Sequence, residues 1–229
     1  MLPVRDHLPT RSFAVVNYAL IAINVAVFGL EAGGVFDVEA LALSPSQLVA
    51  HPLASVPSLF AHMFLHASLA HLAGNMLFLW IFGDNVEDAL GHARYLVFYM
   101  ACGLCAAFAQ VAVSPHSTAQ MLGASGAISG VLAAYVVLYP RSPITVINPI
   151  PIMWLFWGLF MSFPAWLVIL EFFVVNLWHA FQPSNAAGGV AFVAHVGGFV
   201  AGLGLLPLLR TQEPVEYDPW ERLLRPRNA

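Results

Sequence analysis

The sequence predicts an all-α integral membrane protein, a bundle of six transmembrane helices with both termini in the cytoplasm. Three observations predict it. Of 229 residues, 60% are hydrophobic and 9% are charged, whereas soluble domains carry about 25% charged residues. Six apolar stretches are spaced along the chain. The eight arginines, in a chain without lysine, all fall before the first stretch, in alternate gaps between stretches, or after the last.

The apolar stretches run over 13–30, 68–82, 95–113, 124–139, 152–175 and 190–209. The second is entered through an aromatic-rich segment, 57–67. A span needs about 20 apolar residues, so the short second and fourth stretches are expected to extend into their flanks. Arg5 and Arg11 precede the first stretch, Arg94 follows the second and Arg141 follows the fourth. Arg210, Arg222, Arg225 and Arg227 follow the sixth. With six spans all eight lie on one side, which the positive-inside rule makes the cytoplasm. The loops 31–56, 114–123 and 176–189 contain no arginine and face outward. The first stretch has the basic start of a signal peptide, but the nearest later A-x-A, Ala40 to Ala42, lies far beyond its apolar core. A retained span is expected. The domain organisation is then a cytosolic segment 1–12, a membrane domain 13–210 and a cytosolic tail 211–229 with Pro214, Pro219 and Pro226.

Composition removes several functions. The absence of lysine excludes a Ser-Lys dyad, a Schiff-base lysine and a P-loop lysine. A net charge of −4, thinly spread, gives no basic patch for nucleic acid. Cys102 and Cys105 form a CGLC inside the third stretch with no second pair, which reads as small-residue helix packing. His62 and His66 have i, i+4 spacing, but Met63 stands where a zinc protease carries its glutamate. No metal and no cofactor are expected. No internal repeat supports an inverted-repeat transporter.

Polar residues within spans are candidate functional groups. In "FLHASLAHLAGNMLFLW", His71 and Asn75 share one helix face, about 6 Å apart along the axis. His66 precedes them. The sixth stretch holds His195, followed by Gly198 and Gly202. The fourth opens with Ser125 between Gly123 and Gly126, with Gly130 one turn on. Gly126 and Gly130 read as a face for close helix packing, as do Gly198 and Gly202. If these faces meet, Ser125 and His195 approach each other at similar shallow depth. Ser125 then has two readings, a small packing residue or a nucleophile. Glu171 reads as a structural or gating residue, either neutral or near the outer end of the fifth span. Asp84, Glu87 and Asp88 lie at the cytosolic end of the second span, too far from Ser125 to complete a triad. Any serine chemistry is a dyad.

These residues together resemble the rhomboid family of intramembrane serine proteases. The matching pieces are "HASLAHLAGN", "GASG" and "AHVGGFVAG", in that order on spans two, four and six, over about residues 13–210. "GDNVEDALG" also resembles the family, with Glu87 at its acidic position. The resemblance implies a six-helix rhomboid-type bundle and a serine endopeptidase that cuts single-span membrane proteins. Ser125 would be the nucleophile and His195 the general base and acid. His71, Asn75 and the Ser125 backbone N–H would stabilise the oxyanion. It also implies a wet cavity open to the outside, the loop 176–189 as a movable lid, and substrate access from the lipid past the fifth span. Two departures stand out. Ser129 occupies the position where the family often has an aromatic against the histidine, so Phe192 or a neighbouring helix is expected to hold His195 by packing. The first outer loop has no arginine. The two short apolar stretches and the lack of an extra span suggest a prokaryotic plasma membrane. The competing readings are a silent relative that binds transmembrane helices and a small-solute transporter. The oligomeric state is left open.

Overall fold

The structure, a computed structural model, describes residues 1–148, 150, 154–180 and 192–210. The helices are α1 (Val15–Ala32), α2 (Val38–Leu41), α3 (Pro45–Ala50), α4 (Val56–Ala61), α5 (Leu69–Phe78), α6 (Asp84–Leu90), α7 (His92–Val113), α8 (Ser125–Leu138), α9 (Trp154–Trp157), α10 (Ala165–Ala180) and α11 (Phe192–Leu209). Among the described residues, α1, α7 and α11 are long and apolar enough to cross a membrane. The run Val56–Phe64 with Leu69–Leu90, bent by 84°, makes a fourth candidate. The protein is a mostly helical, multi-pass membrane protein. Helices α8 and α10 are shorter, at 14 and 16 residues.

The centre of the bundle is α8, buried on nearly every side from Ala127 to Tyr135. Lipid gives packed helices no hydrophobic reward, so close backbone approach must hold them together. Glycine supplies it. A Cβ built on Gly198 would stand 2.0 Å from the Gly126 carbonyl oxygen, and one on Gly202 2.5 Å from that of Gly130. The two glycine faces therefore meet, with α8 and α11 parallel. Helix α7 runs antiparallel across both. Cys102 fills the space over Gly130, and Ala106 lies against Gly126 and Gly198. Cys102 is thus a packing residue, and Cys105 is exposed.

At the end where α7 begins and α8 and α11 finish, polar groups are satisfied across helices. Helix α1 has no side-chain cap of its own. Glu87, buried in α6, caps it instead, accepting from the backbone N–H groups of Val16 (3.0 Å) and Asn17 (2.6 Å). Asp88 accepts from the backbone N–H groups of Arg11 and Ser12 and from Arg11 Nε. A π turn over Leu79–Gly83 joins α5 to α6. Such a turn frees a carbonyl, and Asn17 Nδ2 donates to that of Leu79 at 3.0 Å while Tyr95 donates to Asn17 Oδ1 at 2.8 Å.

The fold is not all-α. A three-stranded antiparallel sheet, in the order β1 (Leu2–Arg5), β2 (Pro143–Ile147), β3 (Phe160–Pro164), packs at this same end. The drawn bounds of the fifth span change with it. The fifth span does not start at residue 152, because Phe160–Pro164 is a strand and α10 begins at Ala165. Hydropathy merged them because no charged residue separates them; the β-branched run Ile144 to Ile147 carried the strand signal. Within the segment 1–12, β1 pairs with β2 from Leu2 opposite Ile147 to Arg5 opposite Thr145. Glu171 lies two turns into α10, not near the far end, and accepts from the Met1 amino group at 2.6 and 2.7 Å. Residues 176–180 of the expected lid belong to α10; the rest of that loop, and the tail 211–229, lie outside the described residues.

Asp6 sits beneath the sheet, its Oδ2 3.1 Å from the Tyr135 hydroxyl. Burial, and after it the charge of Asp84, push its carboxyl up from 3.8 to about 7. A carboxyl raised on folding contributes stability that is complete below its unfolded value and is lost as pH rises through the folded one. Thermal unfolding in detergent should therefore show the Tm falling between pH 4 and about 7 from this group. Asp6→Asn should flatten that part of the profile and raise the Tm at pH 8; an unchanged slope would remove Asp6 as its source.

Candidate active site

The site is built at the opposite end, where α8 and α11 begin. Gly123 has φ +120°, a conformation that side chains rarely adopt. Its N–H donates to the His62 carbonyl at 2.8 Å, and Met121 bridges to Leu43 just before it. The chain is thereby pinned and turns directly into α8, with Ser125 as the first helical residue. The N–H groups of a first helical turn have no partner within the helix and carry its partial positive charge.

His195 lies in the first turn of α11. Its Nε2 is 2.7 Å from Ser125 Oγ. Its Nδ1 hydrogen-bonds Asn176 Oδ1 on α10. Asn176 Nδ2 donates to the Phe172 carbonyl at 2.8 Å, which turns the amide oxygen toward the imidazole. An amide oxygen only accepts. The proton of the neutral ring therefore sits on Nδ1, and Nε2 keeps its lone pair for the serine hydroxyl. Phe192 meets the imidazole edge-on at 6.1 Å between centroids, and Phe172 lies 6.3 Å away. His195 is thus held by a hydrogen bond as well as by the expected packing. Ser129, buried, donates to the Ser125 carbonyl at 2.8 Å and does not reach the ring. Sequence reasoning missed Asn176 because the fifth stretch was drawn to end at Val175, which left the amide in a loop. An amide at the end of "EFFVVN" was the available signal.

His71 and Asn75 project from α5 toward the same point. A Cβ on Gly123 would lie 2.7 Å from His71 Cε1 and 3.6 Å from Asn75 Nδ2. Ser68 caps this helix, accepting from the His71 N–H at 3.1 Å. Asn75 is buried, and its Nδ2 is 2.9 Å from His66 Nε2. With the imidazole nitrogen as acceptor, one amide hydrogen is committed to His66 and the other is available to a bound group. His66 acts behind Asn75, with its ring edge-on to that of His71 at 5.2 Å.

A cavity of about 660 Å³ joins these residues, lined by His62, Ser68, His71, Asn75, Ser125 and His195 among others. Apolar lining from Met63, Phe78 and Phe172 completes it. Among the described residues, no group of three or more His, Cys, Asp or Glu is placed to hold a metal. The arrangement can do acid–base and nucleophilic chemistry: a hydroxyl on a nitrogen base, beside a helix N-terminus and side-chain donors.

Fold and site together define a multi-pass membrane protein with a serine–histidine pair at a cavity between its helices. The family model for the Rhomboid domain matches residues 54–212, and the chain belongs to the rhomboid family. It is 33% identical over 146 residues to Rhomboid protease GluP of Bacillus subtilis, covering 63% of this chain and 24% of that protein. It is 30% identical over 198 residues to Rhomboid protein 1, mitochondrial, of Saccharomyces cerevisiae, covering 81% and 51%. It is 35% identical over 86 residues to the human presenilin-associated rhomboid-like protein, mitochondrial, covering 37% and 23%. The chain thus spans a quarter to a half of the length of these relatives.

Gly123→Ala would strain the backbone and drive a methyl group into the His71 ring. Labelling of Ser125 by a fluorophosphonate probe should slow markedly in this variant. In Gly204→Ala, where a Cβ meets nothing within 4 Å, the rate should be unchanged. Equal rates in the two would break the link between Gly123 and the site.

Proposed function

We propose that this protein is an intramembrane serine endopeptidase that hydrolyses peptide bonds within or next to transmembrane segments, using Ser125 and His195. The observation that carries the reading is the 2.7 Å contact between His195 Nε2 and Ser125 Oγ at the floor of the cavity. His195 accepts the hydroxyl proton as Oγ attacks the scissile carbonyl. The tetrahedral oxyanion is stabilised by the Ser125 N–H, His71 and Asn75. Collapse breaks the C–N bond, and His195 returns the proton to the leaving amine. Water, deprotonated by the same nitrogen, then releases the acyl group and restores Ser125. Asn176 is a positioning residue that fixes the ring and its tautomer.

Six spans with both termini in the cytoplasm agree with the arginines. Arg94 opens α7, Arg141 follows α8 and Arg210 follows α11, all at the end away from Ser125. The cavity then opens to the outer side. Phe78 of α5 and Phe172 of α10 pack at 5.6 Å between centroids and form the wall past which a single-span substrate would enter. A prokaryotic plasma membrane is the proposed location.

Cleavage of a fluorogenic transmembrane peptide in liposomes tests the reading. Ser125→Ala and His195→Ala should abolish cleavage and probe labelling; undiminished turnover by Ser125→Ala would sink it. For Asn176, a neutral hydrogen bond contributes about 1 kcal/mol, which corresponds to a loss of roughly five- to tenfold in rate. Asn176→Leu should therefore lower kcat by about that factor with KM little changed. Asn176→Asp, which keeps an acceptor oxygen in place, should restore most of it. A change confined to KM would assign Asn176 to substrate binding instead.

A further inference from the structure

From Ser142 to Leu170 the chain carries no Asp, Glu, Lys or Arg. The β2–β3 hairpin occupies most of that stretch and ends in an apolar tip. Ile150, Trp154, Phe156, Leu159 and Phe160 are 48%, 44%, 75%, 41% and 56% exposed. Surface patches of this kind mark interaction sites. Among the described residues of the tip, several polar atoms pair with one another around Asn148. This residue is 2% exposed. Its N–H donates to the Leu159 carbonyl at 2.8 Å and its Nδ2 to that of Gly158 at 3.2 Å. Its Oδ1 accepts from the Ile150 N–H at 3.1 Å, and its carbonyl accepts from Trp154 Nε1 at 2.9 Å. The Gly158 N–H donates to the Trp154 carbonyl at 3.1 Å.

A loop in water has no need of such closure, because water serves the same groups. A segment facing hydrocarbon must satisfy its backbone internally. Even the indole N–H, which usually reaches for the polar side of an interface, is bonded within the tip. The tip also leads without a break into lipid-facing surface, since β3 runs into α10, whose Trp166 and Leu170 are 46% and 47% exposed.

We propose that the tip of the β2–β3 hairpin inserts into the lipid interface at the arginine end of the bundle, as an anchor that enters one leaflet without crossing it. Its occupant is lipid hydrocarbon. With no charge on the hairpin, insertion is hydrophobic rather than electrostatic and is indifferent to anionic headgroups. The proposal is independent of catalysis.

The test uses the full chain in phosphatidylcholine nanodiscs, where both faces are open to reagents. Cys105→Ala removes the exposed thiol, Cys102 being buried. Phe156→Cys, and separately Leu159→Cys, carry an NBD label; Glu39→Cys, on an exposed residue of the short helix α2, is the aqueous control. Labels at 156 and 159 should emit to the blue of the control, resist reduction by dithionite, and be quenched by doxyl groups on the acyl chains. Adding phosphatidylglycerol should leave all three unchanged. Reduction as fast as at residue 39 would place the tip in water and overturn the proposal. Protection without doxyl quenching, or disulfide cross-linking of Phe156→Cys between copies, would show protein covering the tip and overturn it equally.

Discussion

The bundle depends on two backbones touching. Gly198 and Gly202 lie so close to the carbonyls of Gly126 and Gly130 that a methyl group on either glycine has no room. That contact fixes the separation, direction and register of α8 and α11. Register matters most, because Ser125 and His195 sit near the starts of these helices, 70 positions apart in the chain. Their 2.7 Å contact is a consequence of the glycine seam beneath them. The glycine packing at Gly126 and Gly130 and the contact of Ser125 with His195 therefore belong to neighbouring residues of one helix.

Around the seam, a low-dielectric setting favours a partner for each buried polar group, and several of these partners come from other elements of the chain. Glu87 caps α1 from α6, Asn17 takes the carbonyl that the π turn releases, and Asn75 leans on His66. Asn176 follows the same logic on α10: it satisfies itself on Phe172 and in doing so aims its oxygen at His195. A hydrogen bond that settles an amide in an apolar helix also selects the tautomer of a base.

Much of this was legible in the sequence, and the illegible parts share a cause. Glycines at four-residue spacing, and histidines and an asparagine on apolar faces, have few uses in lipid, so the residues around the cavity stood out. Hydropathy measures the medium a segment prefers and not its backbone shape. The uncharged run 142–170 was therefore read as loop and helix where it holds a hairpin, and the end of α10 was drawn one residue short of Asn176. The cap from Glu87 on α1 is a contact between distant positions, and the support of Asn75 by His66 spans the turn before α5; neither follows a helical spacing.

The length of α8 has a consequence for the bilayer. Fourteen residues rise about 21 Å, against a hydrocarbon slab of about 30 Å. Such a mismatch is met by thinning of the surrounding lipid or by a helix that stops short of the far headgroups. Ser125, at the short helix's first residue, then stands at a depth that ordinary spans fill with hydrocarbon, and the cavity replaces that missing length. The same shortfall makes membrane thickness a variable the protein feels directly, through the distance between Ser125 and the nearest water.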